Sequence, residues 1–178
     1  MALPATIHKV NLTISDVDRG VYDTFELRLA RHPSESPRYM VARTLAYALS
    51  YADGITFSKG GLSSTEEAPV SIVDPTGRLL AWIDIGSPAA SRLHKAAKAA
   101  DAVVIYTWSD LAPLRKEAAT VHRASEIVIV TIPASFLDTL AEGIGRRAEL
   151  ELLHTSGQLY ATLDGVTHEA PIERSTLG

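Results

Sequence analysis

From Ile7 to Val17 apolar and polar residues alternate imperfectly, with Val10, Leu12 and Ile14 on one face. The alternation returns from Val21 to Ala30, where Phe25, Leu27 and Leu29 point one way and Thr24, Glu26 and Arg28 the other. Two such runs separated by Asp16-Val17-Asp18-Arg19-Gly20 predict an antiparallel β-hairpin. The period then changes. His32-Pro33-Ser34-Glu35 stops the second strand, and from Arg38 to Tyr51 the residues Val41, Leu45 and Leu49 recur at helical spacing. Ser34 is the expected N-cap, with Pro37 tolerated in the first turn and Asp53-Gly54 closing the helix.

Ile55 to Phe57 reads as a short strand, and Lys59 to Ala68 as a mobile Gly/Ser/Thr-rich surface loop ending in Glu66-Glu67. Pro69 to Val73 and Arg78 to Ile85 are strand-like and flank Asp74-Pro75-Thr76-Gly77, a strong turn signal. The second of these strands, Leu79-Leu80-Ala81-Trp82-Ile83-Asp84-Ile85, is almost continuously apolar, as expected of a central strand covered on both faces. Downstream the pattern predicts a helix over Ala89 to Ala100, a strand over Ala102 to Tyr106, and a helix from Ser109 to about His122. A strand over Ile127 to Ile132 and a helix over Ala134 to Ile144 follow. Strands over Glu149 to His154 and Gln158 to Leu163 come next, with a frayed tail from Ile172. This order predicts one α/β domain spanning residues 1–178, a mixed central sheet with flanking helices and an added N-terminal hairpin.

Composition narrows the class. The chain has 178 residues, no cysteine and a formal net charge of −4. Without cysteine there are no disulfides, thiolate metal sites or cysteine nucleophiles, which suits a reducing, cytoplasmic setting. No apolar run is long enough to span a bilayer, and Met1-Ala2-Leu3-Pro4-Ala5 lacks the basic and apolar regions of a signal peptide. The acidic balance argues against strong non-specific nucleic-acid binding. A local basic groove remains available from Arg31, Arg38, Arg43, Lys59, Arg92, Lys95 and Lys98.

Candidate chemistry centres on Asp84. A lone carboxylate in an apolar strand is costly to bury unless a cation, a proton or hydrogen bonds compensate it. The Asp74–Gly77 turn folds the segment carrying Glu66 and Glu67 beside it, so the acids gather at neighbouring strand ends. Such hard oxygen ligands suit Mg²⁺ or Mn²⁺. Glu35 could add a third carboxylate, or simply favour the helix dipole. Asp84 could equally cap the next helix or pair with Lys95, and the glutamates could be solvated loop acids. Arg92, Lys95 and Lys98 follow at helical spacing and could aim cations at the strand end. Arg31 could hold a phosphate and His32 orient an acid, with Ser34 nearby; the competing reading is a turn whose polar groups cap the backbone. No Gly-Lys-Ser/Thr phosphate loop, no Gly-x-Gly-x-x-Gly and no Gly-x-Ser-x-Gly is present, and the six histidines lack zinc spacing.

Taken together, Leu29-Ala30-Arg31-His32-Pro33-Ser34-Glu35, the acid pair before the hairpin, Trp82-Ile83-Asp84-Ile85-Gly86-Ser87-Pro88, and Arg92 followed by Lys95-Ala96 resemble the YaeQ family of bacterial proteins. The resemblance runs over most of the chain and implies a three-layer, restriction-endonuclease-like fold of the PD-(D/E)XK superfamily. It implies that Glu67 (or Glu66) and Asp84 are the paired metal-binding acids, that Glu35 resembles an added helical acid, and that Lys95 substitutes for the usual strand lysine. Arg31 and Arg92, with His32 and Ser34, would meet phosphate. Gly86 stands at the lysine position. The implied activity is Mg²⁺- or Mn²⁺-dependent phosphodiester hydrolysis on nucleic acid. The alternative is a catalytically degenerate nuclease fold serving as a nucleic-acid or protein-interaction module, with transcription as a candidate setting.

Overall fold

A computed structural model describes residues 4–59 and 66–178. Most of the loop expected over Lys59 to Ala68, residues 60–65, lies outside them. The chain divides into two compact units, one formed by the described residues of Met1–Thr44 with Ile132–Ile172, the other by Leu45–Thr131 with Glu173–Gly178.

The first unit is built on the N-terminal hairpin. Strands β1 (Thr6–Asp16) and β2 (Val21–Arg31) pair antiparallel from Thr6↔Arg31 to Asp16↔Val21. The alternation in the sequence has a structural counterpart, since Val10, Leu12, Ile14, Leu27 and Leu29 are all buried. A central sheet with an added hairpin is expected, but the strands fall into two mixed sheets. The C-terminal strands β8 (Arg147–Thr155), β9 (Gln158–Leu163) and β10 (Val166–Pro171) join the hairpin in the order β10-β9-β8-β1-β2. Strand β8 is one-sided, burying Ala148, Leu150 and Leu152 in alternation with exposed Arg147, Glu149, Glu151 and Leu153. It pairs parallel to the side of β1 that β2 leaves open. Between Ile132 and β8, helix α4 (Ala134–Gly143) buries Phe136, Leu137 and Leu140. Arg38 forks onto Asp138 through two 2.7 Å bonds, and this pairing holds the Asp138 carboxyl below its usual range.

Helix α1 (Pro37–Leu49) contributes residues to both units. Its cap is Ser36, not Ser34: the Ser36 hydroxyl accepts the Tyr39 N–H at 3.1 Å. With Pro37 at the first helical position, the cap must be the residue immediately before it.

The second unit holds a six-stranded sheet, β11-β7-β6-β5-β4-β3, comprising β3 (Ile55–Phe57), β4 (Val70–Val73), β5 (Leu79–Ile85), β6 (Ala102–Thr107), β7 (Val128–Thr131) and β11 (Glu173–Thr176). Strands β5, β6 and β7 run parallel, with β4 antiparallel to β5. Helix α2 (Ala90–Ala99) covers β5 and β6 with Leu93, Ala96 and Ala97, which pack in one cluster with Trp82, Val103 and Ile105. The β4–β5 turn is pinned by Asp74, whose carboxylate accepts the Thr76 hydroxyl and the N–H groups of Thr76 and Arg78. The hydroxyl bond is the main reason the Asp74 carboxyl sits below its ordinary value.

Two expectations need correction here. The helix read from Ser109 to His122 is only α3 (Ala112–Lys116), followed by 3₁₀ turns at Ala118–Thr120 and Ala124–Glu126. Glu117 bonds back to Leu114 in the tighter i−3 pattern, and Val121 is extended at φ −100° and ψ 128°, so the α-helix cannot propagate to His122. The tail is not frayed either: β11 pairs antiparallel with β7, and Leu177 is buried. Its order comes from a partner strand far away in sequence, which local pattern cannot reveal.

Candidate functional site

Strand β5 runs centrally in its sheet, and its last five residues are all buried. Side chains two apart share a face of a strand, so Trp82 and Asp84 lie together, and Trp82 Nε1 donates to Asp84 Oδ2 at 3.0 Å. Asp84 itself is 3% exposed. The charge is compensated by an arginine in the first turn of α2: Arg92 Nε lies 3.1 and 3.0 Å from the two Asp84 oxygens. The guanidinium carbon also stands 5.1 Å from the Trp82 ring centroid, a cation–π contact. Arg92 Nη2 then donates to the backbone carbonyl of Glu67 at 3.0 Å.

This last bond joins the two acid-bearing segments. Val70 pairs with Ile83, so Glu67 leads into β4 at the same end of the hairpin at which Asp84 leaves β5. The Glu67 carboxylate is exposed and accepts the Ser58 hydroxyl at 2.7 Å. Of the two glutamates, Glu67 is the one tied to Arg92; Glu66 is exposed. Lys95 and Lys98 lie on the exposed side of α2, and the cation at Asp84 is Arg92, one helical turn before Lys95.

Gly86 follows directly. Its φ is +89°, a conformation that L side chains rarely adopt, and its N–H donates to the Tyr106 carbonyl at 2.8 Å. A Cβ there would stand 3.7 Å from the Trp108 ring, ordinary contact. The obstacle to a lysine at this position is therefore the backbone, not space.

The residues around Glu35 form a separate group in the first unit. Glu35 is 2% exposed and takes a bidentate fork from Arg43, with Nε to Oε2 at 2.9 Å and Nη2 to Oε1 at 3.0 Å. Arg43 Nη2 also donates to the Ala30 carbonyl, and Arg31 Nε to the Glu35 carbonyl. His32 and Ser34 form an exposed turn: the histidine Nδ1 is 2.7 Å from the Ser34 hydroxyl and accepts the Ser34 N–H at 3.2 Å. The polar groups of this segment thus serve the strand-to-helix turn and the buried ion pair.

Among the described residues, no three His, Asp or Glu side chains gather as a metal-binding group. Asp84 and Glu67 remain a chemically suitable pair of hard oxygen donors, since Mg²⁺ commonly takes only one or two carboxylates and fills its shell with water and phosphate. Asp84 would have to exchange its Arg92 bond for the ion.

Two features carried signals in the sequence that pattern alone left unused. Trp82 sits two residues before Asp84 on the same strand face, and the buried Glu35 and Asp84 each have an arginine eight residues later. A third carried none: His154 Nδ1 lies 3.0 Å from Asp16 Oδ1, both groups buried, because β1 and β8 pair in a register that sets Asp16 beside His154.

Comparison with known proteins gives a consistent picture. The sequence profile of the family described as YaeQ protein matches residues 1–172. An Escherichia coli K12 protein described as uncharacterised YaeQ is 36% identical over 112 residues, which are 63% of this chain and 61% of that one. A Salmonella typhi counterpart is 35% identical over the same shares. The match therefore spans about three-fifths of these relatives. Among solved structures, the Pseudomonas syringae YaeQ protein superposes with a TM-score of 0.88 at 29% identity, covering 99% of this chain and 98% of that one. The Xanthomonas axonopodis pv. citri YaeQ protein gives 0.85 at 28% identity, covering 97% of each.

Proposed function

The chain belongs to the YaeQ family, and from that premise we propose that it is a variant PD-(D/E)XK phosphodiesterase with a restriction-endonuclease-like fold, acting on nucleic acid with Mg²⁺ or Mn²⁺. The observation that carries this reading is the Arg92 guanidinium, which holds the Asp84 carboxylate and the Glu67 main chain together at one end of the β4–β5 hairpin. An acid before a hairpin, an acid on the next strand and a nearby cation are the parts that the superfamily uses. Here an arginine from the following helix takes the place of the strand lysine.

In this reading Asp84 and Glu67 hold the ion, which when bound orients water and offsets charge on the phosphodiester. Arg92 exchanges its Asp84 bond for a phosphate oxygen, for which its planar fork is well suited. Trp82 keeps Asp84 oriented throughout by its indole N–H. Glu35 stays with Arg43 and supports the fold.

A second reading is favoured by a specific observation: both Asp84 oxygens already accept internal donors, and Gly86 denies the strand lysine a side-chain position. A site closed in this way suits a degenerate nuclease fold used as a nucleic-acid or protein-interaction module. Calorimetric titration with Mg²⁺ and Mn²⁺, with cleavage assays on single- and double-stranded DNA and RNA, separates the two. The first reading expects metal binding and cleavage, both lost in Asp84→Ala, which also controls for contaminating nucleases. Neither binding nor cleavage overturns it. Metal-independent nucleic-acid binding that falls steeply with salt would then support the second.

A further inference from the structure

Strand β2 is the last strand of its sheet, and among the described residues no strand pairs with its other side. The direction of its backbone groups follows from the ladder. The N–H groups of Lys9 and Val17 bond to Arg146 and His154, so the odd-numbered residues along β1 face β8 and the even-numbered ones face β2. The hairpin register pairs those even residues with odd ones, such as Val10 with Leu27 and Leu12 with Phe25. Hydrogen bonding alternates along an antiparallel pair, so the even-numbered residues of β2 turn their N–H and C=O groups outward. Two contacts agree: Arg43 bonds the Ala30 carbonyl, and the Asp23 carboxylate accepts the Thr24 N–H. Between these two ends, the backbone groups of Glu26 and Arg28 face outward at the middle of an 11-residue edge.

Natural sheets usually blunt so long an edge with charged side chains, lysine above all, with proline or with a bulge. This strand contains neither residue and pairs with β1 without a break. We infer that β2 pairs with β2 of a second copy of this chain, antiparallel about a twofold axis at Leu27, so that two five-stranded sheets become one. Charge selects the register. Matching outward groups requires pairing even residues with even. An axis at Glu26 would oppose two carboxylates, and an axis at Arg28 two guanidinium groups. An axis at Leu27 sets each Glu26, which lies 3.4 Å from the exposed Arg28 of its own strand, against the partner's Arg28, and each Asp23 against the partner's Arg31. On the apolar face it sets Phe25 against the partner's Leu29. Opposite charges directly across two strands stabilise the pair, and like charges destabilise it. The interface is isologous, as a twofold dimer requires. It stands independently of the phosphodiesterase reading.

Sedimentation velocity of the full chain across micromolar concentrations at low salt tests this. The chain is expected to shift from monomer to dimer as concentration rises, and less so at high salt. Arg28→Glu sets like charges against each other twice across the axis and is expected to raise the dissociation constant by about tenfold or more. The swap Glu26→Arg with Arg28→Glu restores complementarity and should recover dimerisation to within about threefold of the original. Both positions are exposed, and circular dichroism checks that each variant folds. A chain that stays monomeric throughout overturns the inference. So does a dimer that tolerates Arg28→Glu, or one that the swap fails to rescue.

Discussion

Two carboxylates in this chain are buried beside an arginine eight residues further on, Glu35 with Arg43 and Asp84 with Arg92, yet the pairs are built differently. Arg43 meets Glu35 through two parallel bonds, and the side chains are 8% and 1% exposed. Arg92 reaches both Asp84 oxygens through a single nitrogen, remains 23% exposed, and extends to the Glu67 carbonyl and the Trp82 ring. The first cation binds the Glu35 carboxylate and the nearby Ala30 carbonyl, and is itself almost fully buried. The second links three groups and keeps a path to water. Burial alone would rank the two acids equally; how the cation is shared separates a structural pair from a candidate site.

The largest expected effect tests the closed pair. Glu35→Ala leaves the Arg43 guanidinium buried without its partner and should cost about 3–5 kcal/mol in urea unfolding. Replacing both residues by apolar ones should recover most of that loss. Asp84→Ala should cost less, about 1–3 kcal/mol, because the partly exposed Arg92 regains water. It should also abolish any metal binding and cleavage. A stability loss at Asp84 equal to that at Glu35 would erase the distinction between the pairs.

Gly86→Lys supplies the strand lysine that the proposed phosphodiesterase reading lacks, at a backbone position that opposes it. A left-handed φ costs a side-chain-bearing residue about 1–2 kcal/mol, so the variant should be less stable by that amount and no faster in cleavage. Faster cleavage would mean that the missing strand lysine, not Arg92, limits the site. Next is the β4–β5 turn, at the far end of the hairpin from Asp84. Because the folded state depresses the Asp74 carboxyl, its stabilisation is present above the ordinary carboxylate value and is lost as pH falls through the depressed one. In Asp74→Asn that pH-dependent part should vanish from unfolding curves compared at neutral and strongly acid pH. The smallest effect is expected at Lys95, which is exposed. Lys95→Ala should stay within about 0.5 kcal/mol in stability and leave cleavage unchanged; a large loss of cleavage would return the cationic role to Lys95.

Much of the local structure was legible because it follows from period. The hairpin, the apolar strand around Asp84 and the helix after it lie within a residue or two of where the pattern puts them. The site was only partly legible. That the Glu67 and Asp84 segments meet follows from the Asp74–Gly77 turn, whereas the identity of the cation does not. Arg92, Lys95 and Lys98 share a helical spacing, and only the packing of α2 on β5 selects the first of them. Helix α3 was overextended because the run around Ala118-Ala119 carries helical propensity, while the 3₁₀ turn there and the extended Val121 after it leave no signature in composition.

By itself the sequence determined which residues alternate, where turns interrupt them, and that a costly carboxylate sits in an apolar strand. These are properties of neighbours in the chain, governed by the periods of strand and helix. The tertiary structure alone decided that the strands divide into two sheets, that the C-terminal segment completes the second, and that Asp16 meets His154. It also set one arginine beside Glu35 and another beside Asp84, the first nearly sealed from water and the second partly exposed. Those outcomes depend on contacts between residues far apart in sequence, and a carboxylate's role is fixed by which cation packing delivers to it.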